Sequence, residues 1–70
     1  MRLIMKILLN NENIVLDDGL TIKELIKHIQ LCNQYYAVEV NEQIVPKSLH
    51  ASFLLKEGDK VEIVTAIGGG

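Results

Sequence analysis

Tryptophan is absent, phenylalanine and proline each occur once, and a single cysteine, Cys32, is present among 70 residues. One cysteine cannot close an internal disulfide, and small secreted domains usually carry several, so a reducing, cytoplasmic location is expected. Two histidines, His28 and His50, and Cys32 show no metal-ligand spacing, so neither a structural metal nor a bound cofactor is expected. Basic residues number 7 against 9 acidic ones, with no run of Lys or Arg. A nucleic-acid partner is therefore set aside, because phosphate neutralisation is its main source of affinity. The opening Met1-Arg2-Leu3-Ile4-Met5-Lys6-Ile7-Leu8-Leu9 is interrupted by Lys6 and stopped by Asn10-Asn11. It is too short for a signal peptide and far from the ~20 apolar residues of a membrane span, so no membrane association is expected.

What the chain does have is apolar content: 49% of its residues are hydrophobic, enough for a core in one small domain and too little length for two. Met5, Ile7 and Leu9 alternate with Ile4, Lys6 and Leu8, a strand with one wetter face. Asn10-Asn11 tolerates the left-handed backbone of a tight hairpin, so Glu12 to Leu16 folds back antiparallel until Asp17-Asp18-Gly19. Thr21-Ile22-Lys23-Glu24 is a capping-box pattern, and Ile22, Leu25, Ile26 and Ile29 form one apolar stripe behind it. A second strand pair follows: Tyr36 to Val40 with Val38 and Val40 inward, a turn at Asn41-Glu42, then Gln43 to Val45 closed by Pro46. Lys47 to Leu55 carries no clear period and is expected to hold a turn or short helix, then a brief strand. Lys56-Glu57-Gly58-Asp59 is a turn, and Val61, Ile63 and Thr65 alternate with Glu62, Val64 and Ala66 in a last strand.

One helix with one apolar face needs one sheet to cover, and a right-handed crossover lets the last strand pair parallel with the first. The expected fold is an α+β roll of the β-grasp type, a mixed four- to five-stranded sheet on one helix. Residues 1–67 form the domain and 68–70 a flexible glycine tail.

Packing does not explain Gly68-Gly69-Gly70, which hold three of the five glycines and follow the last strand directly. A tail without Cβ atoms adds no stability, is slim enough to thread a narrow channel in another protein, and leaves its terminal carbonyl unhindered. Ordering it costs about 1–2 kcal/mol per residue. Contacts elsewhere must offset that, and period two places Leu8, Val64 and Ala66 on the face away from the helix. With Ile67, they are the candidate docking residues.

A first strand ending in Asn10 is followed by Val38-Glu39-Val40-Asn41, Ile44-Val45-Pro46-Lys47, Glu57-Gly58-Asp59-Lys60-Val61-Glu62-Ile63-Val64 and the final Ile67-Gly68-Gly69-Gly70. In this ordered set of motifs, from Met5 to Gly70, the chain resembles the ThiS family, the sulfur carriers of thiamine biosynthesis. Asn10-Asn11 stands where that family often has Asn-Gly, and Met5 is a second candidate start. The resemblance implies a ubiquitin-like β-grasp and a carrier with no catalytic residue of its own. In it a ThiF-type, E1-like enzyme uses ATP to adenylate the Gly70 carboxylate. Sulfur from a cysteine desulfurase then makes the Gly70 thiocarboxylate, and thiazole synthase receives it. The small subunit of molybdopterin synthase shares that chemistry, a ubiquitin-like modifier would join Gly70 to lysines, and a TGS-like module would not need Gly70.

The remaining polar and aromatic residues have plainer readings. Cys32 reads as structural, His28 as a solvated residue near the helix end, and Tyr35 and Tyr36 as strand packing.

Overall fold

The computed structural model describes residues 3–31 and 35–65. Five strands and one helix follow in the order β1 Ile4–Leu9, β2 Glu12–Asp17, α1 Ile22–His28, β3 Tyr36–Val40, β4 Gln43–Val45 and β5 Lys60–Thr65, with a short 3₁₀ turn at Lys47–Leu49. They make one mixed sheet in the order β2-β1-β5-β3-β4. Only the central pair, β1 with β5, is parallel; the other pairings are antiparallel.

Two hairpins of the same design set the register. Asn10 and Asn11 have φ of 48° and 69°, and Asn41 and Glu42 have 52° and 70°, so both two-residue turns use left-handed backbone throughout. That geometry matches the twist of the flanking strands. It places Leu9 opposite Glu12 and Val40 opposite Gln43.

The helix begins at the expected capping box. Thr21 N–H donates to Glu24 Oε1 at 2.9 Å, and Glu24 N–H donates to Thr21 Oγ1 at 3.1 Å. The first two helical N–H groups, which no helix can satisfy internally, are taken by a distant segment: Ile22 donates to the Phe53 carbonyl and Lys23 to the His50 carbonyl. Here the structure departs from the expected brief strand before Leu55. A single bridge joins Thr21 to Leu54, because the carbonyls of this stretch serve the helix start rather than a ladder. At the other end, Gln30 is left-handed (φ 55°), with Gln30 N–H on the Lys27 carbonyl and Leu31 N–H on that of Ile26. This is a Schellman closure without glycine.

One core joins the layers. Met5, Ile7, Leu16, Val38, Val40, Val45 and Val61 from the sheet meet Ile22 and Leu25 from the helix and Leu55 from the connecting segment. Ile26 and Ile29 complete the stripe at the margin, half-buried. Tyr36 packs as a strand residue, whereas Tyr35 precedes the strand and is 67% exposed, which corrects its expected packing role. His28 closes the helix on the solvent side, as its position implied. Cys32 lies outside the described residues.

Candidate functional site

The last strand is held inside the sheet, with a neighbour on each side. β5 lies between β1 and β3, with Leu8 opposite Lys60 and Leu9 opposite Val61 on one side, and Tyr36 through Val40 opposite Thr65 through Val61 on the other. Its start is fixed by a polar network. Asn41 Nδ2 donates to Asp59 Oδ1, Lys60 N–H donates to Asn41 Oδ1, and Lys56 N–H donates to Asp59 Oδ2, all within 3.0 Å. Asp59 thereby ties the Lys56 to Asp59 turn to the β3–β4 hairpin. Glu57 adds a second tie, since Lys6 N–H donates to its carboxylate at 2.8 Å.

Alternation along β5 turns Val61 into the core and Lys60, Glu62 and Val64 to the face the helix leaves bare. On that face Val64 is 59% exposed and stands opposite Ala37, also exposed. One pair further, Glu62 faces Glu39, and Glu39 in turn faces Ile44, which is 71% exposed. Lys60 Nζ approaches Glu62 Oε1 at 3.6 Å and offsets part of the repulsion between the two carboxylates. The result is three exposed apolar side chains, Val64, Ala37 and Ile44, beside two acidic ones.

Leu8 shares this face but is half-buried and opposite Lys60, four residues before Val64 on β5. At about 3.3 Å per residue they are roughly 13 Å apart along the strand, with Glu62 between. The structure therefore does not bring Leu8 and Val64 together. Ala66, Ile67, Gly68, Gly69 and Gly70 lie outside the described residues. Ile44 and Ala37 were missed in the sequence, although the Asn41-Glu42 turn fixes Ile44 opposite outward-facing Glu39 and so carried the signal.

His50, to which the sequence assigned nothing, is 4% exposed. Its Nε2 lies 2.9 Å from the Val45 carbonyl, and its ring stacks on Tyr36 with centroids 5.9 Å apart. Lys47 Nζ sits 4.5 Å above the other partner in this stack, the Tyr36 ring. The trio pins the segment after Pro46 to the sheet. A shallow groove between β2 and the helix holds Asp17, Glu24, Lys27 and His28, but Glu24 is already engaged by Thr21. Among the described residues no group of three or more His, Cys, Asp or Glu side chains is arranged to hold a metal. No helix among them is long and apolar enough to cross a membrane.

A mixed five-stranded sheet with its first and last strands parallel at the centre, wrapped on one helix that follows the first hairpin, is the ubiquitin-like β-grasp. Within that class, residues 4–70 match the model of the ThiS family, and the chain belongs to it. The Escherichia coli sulfur carrier protein ThiS is 30% identical over 66 residues, covering 94% of this chain and all of the relative. A thiazole synthase of Paramagnetospirillum magneticum is 39% identical over 66 residues. There the match covers 94% of this chain and 20% of the relative, so the chain spans about a fifth of that protein's length. The crystal structure of a thiamine biosynthesis protein (ThiS) from Geobacter metallireducens superposes with a TM-score of 0.82 at 26% identity, covering 94% of this chain and all of that one.

Proposed function

We propose that this chain is a sulfur carrier of thiamine biosynthesis whose working group is the α-carboxylate of Gly70. The observation that carries the reading is the ThiS-family match over residues 4–70, which runs through Gly68-Gly69-Gly70 to the last residue. The structure supports it by what the folded body is for: its core lies between Met5 and Val61, and the strand that leads to the glycines is anchored on both sides.

A carboxylate is a poor electrophile, so a ThiF-type, E1-like enzyme first joins the Gly70 oxygen to the α-phosphorus of ATP and releases pyrophosphate. The terminal sulfur of a protein persulfide, charged by a cysteine desulfurase, attacks the carbonyl carbon and expels AMP, leaving an acyl disulfide. A thiol then attacks the protein's sulfur in that disulfide, and the Gly70 thiocarboxylate leaves as the thiol is oxidised. The thiocarboxylate is anionic at neutral pH and soft, which suits it to attack carbon electrophiles. Thiazole synthase is the proposed recipient, a reading favoured by relatives of that name from two organisms that carry a stretch like this chain within a longer polypeptide. ATP belongs to the adenylating enzyme, and the carrier contributes no catalytic side chain.

Docking to the adenylating enzyme is assigned to the bare sheet face of Val64, Ala37 and Ile44, together with Ala66 and Ile67, which follow Val64 in the sequence. Gly68 and Gly69 thread the narrow approach to the adenylation site. The test is pyrophosphate exchange into ATP, catalysed by a ThiF-type enzyme. Exchange that depends on this chain, and that disappears when Gly70 is removed, supports the reading. Exchange that persists without Gly70 overturns it.

A further inference from the structure

The parallel pairing of β1 with β5 ends at Leu9 and Val61, and Asn10 N–H makes the last backbone bond, 2.9 Å to the Val61 carbonyl. Beyond that point β1 reverses into the Asn10-Asn11 turn, while β5 continues to Thr65. The Asn10 side chain fills the gap. Its Oδ1 accepts from Ile63 N–H at 2.8 Å, and its Nδ2 donates to the Ile63 carbonyl at 3.3 Å. A primary amide carries the same donor and acceptor as a peptide group. It therefore adds one more rung to a ladder whose strand has already turned away. Aspartate lacks the donor and glutamine is one methylene too long for the same reach.

We infer that Asn10 is a positioning residue for the Gly70 carboxylate, an inference that rests on the sulfur-carrier reading above. β5 is gripped at its start by Asn41 and near its end by Asn10, each from a left-handed turn position on opposite sides of the strand. Ile63 is seven residues before Gly70, a span of at most roughly 25 Å when fully extended. Pairing with β3 holds β5 as far as Thr65 on one side, and Asn10 holds the other side at Ile63, where β1 has already turned away. The docking face sets where the body sits on the adenylating enzyme, and Asn10 steadies the root from which the chain end extends. Misplacing a reacting group by about 1 Å can lower a rate by up to 10²-fold, so a loosened root acts on turnover rather than on docking.

Asn10→Gly tests this, since glycine keeps the left-handed backbone and deletes both side-chain bonds. Asn10→Asp retains the acceptor for Ile63 N–H and loses only the donor. The kinetic readout is AMP formation by a ThiF-type enzyme with ATP, desulfurase, cysteine and a thiol present. For Asn10→Gly, kcat falls about tenfold while KM for the carrier stays within about twofold, and Asn10→Asp falls between it and the wild type. Amide exchange at Ile63 rises at least about tenfold in Asn10→Gly, while the amides of Val38 and Val61 keep their protection. An unchanged kcat, a raised KM at constant kcat, or a loss of protection throughout the core overturns the role of Asn10. A wild-type chain that yields no AMP overturns the Gly70 reading itself, and the role of Asn10 with it.

Discussion

Val64 and Ala37 stand directly opposite each other in the antiparallel pairing of β5 with β3, both exposed on the sheet face that the helix does not cover. Covering either in a complex buries apolar area with no rearrangement of the fold. Val64→Asp is expected to weaken binding to the adenylating enzyme by about tenfold or more, as loss of a buried interface anchor does. Folding stability changes by no more than about 0.5 kcal/mol, the usual range for an exposed position. Titration calorimetry and thermal unfolding on the same samples check both halves.

Leu25 is fully buried against the sheet. Leu25→Ala is expected to cost about 2–5 kcal/mol. A chain of this size is stable by only about 4–10 kcal/mol, so the variant approaches the limit of folding. A urea titration against wild type measures it, and a loss under about 1 kcal/mol contradicts the packing described.

Thr21 and Glu24 satisfy each other's backbone N–H groups at the helix start. Thr21→Ala is expected to lower stability by about 1 kcal/mol. The bond from the Thr21 backbone N–H, then that from its hydroxyl, hold the Glu24 carboxyl below its ordinary 4.5, with the Lys27 charge assisting. Because the folded value is the lower one, the carboxylate's contribution is complete above the unfolded value. It is lost as pH falls through the folded value. The stability gap between wild type and Glu24→Gln is therefore expected to be open at neutral pH and to close in acid, as denaturation midpoints across that range show.

Glu42 holds the second left-handed position of the β3–β4 turn at φ 70°. A side chain there costs roughly 1–2 kcal/mol, while glycine loses about 0.5–1 kcal/mol through unfolded-state freedom. Glu42→Gly is expected to stabilise the domain by about 0.5–1 kcal/mol, seen as a higher denaturation midpoint.

The elements that announced themselves in the sequence are those decided locally. Both asparagine-led turns, the Thr21 capping box and the Ile22, Leu25, Ile26 stripe need only residues within one turn of one another to fix their geometry. His50 shows the opposite case. Its burial depends on Tyr36 beneath it and the Val45 carbonyl beside it, neither of which local spacing reveals. The stretch around it likewise takes its shape from the helix N–H groups it satisfies. For the bare sheet face, period two gave the correct side for Val64 but not its neighbours. Those follow from register, which separates Leu8 and brings in Ile44. Asn10 was legible as a turn residue, whereas its bonds to Ile63 span 53 positions.

The described core runs from Met5 to Val61, so deleting Gly70 is expected to leave the melting temperature unchanged while abolishing rescue of a thiamine auxotroph. A fall in melting temperature that accounts for the lost rescue would contradict the separation of folded body from working end.

The most direct measurement is the mass of the C-terminal peptide after incubation with ATP, a ThiF-type enzyme, a cysteine desulfurase, cysteine and a thiol. The account predicts one sulfur in place of one oxygen, located by fragmentation at Gly70, and its absence when ATP is withheld. Sulfur found on Cys32 with Gly70 unaltered, or Gly70 joined to lysines of other proteins, would contradict it.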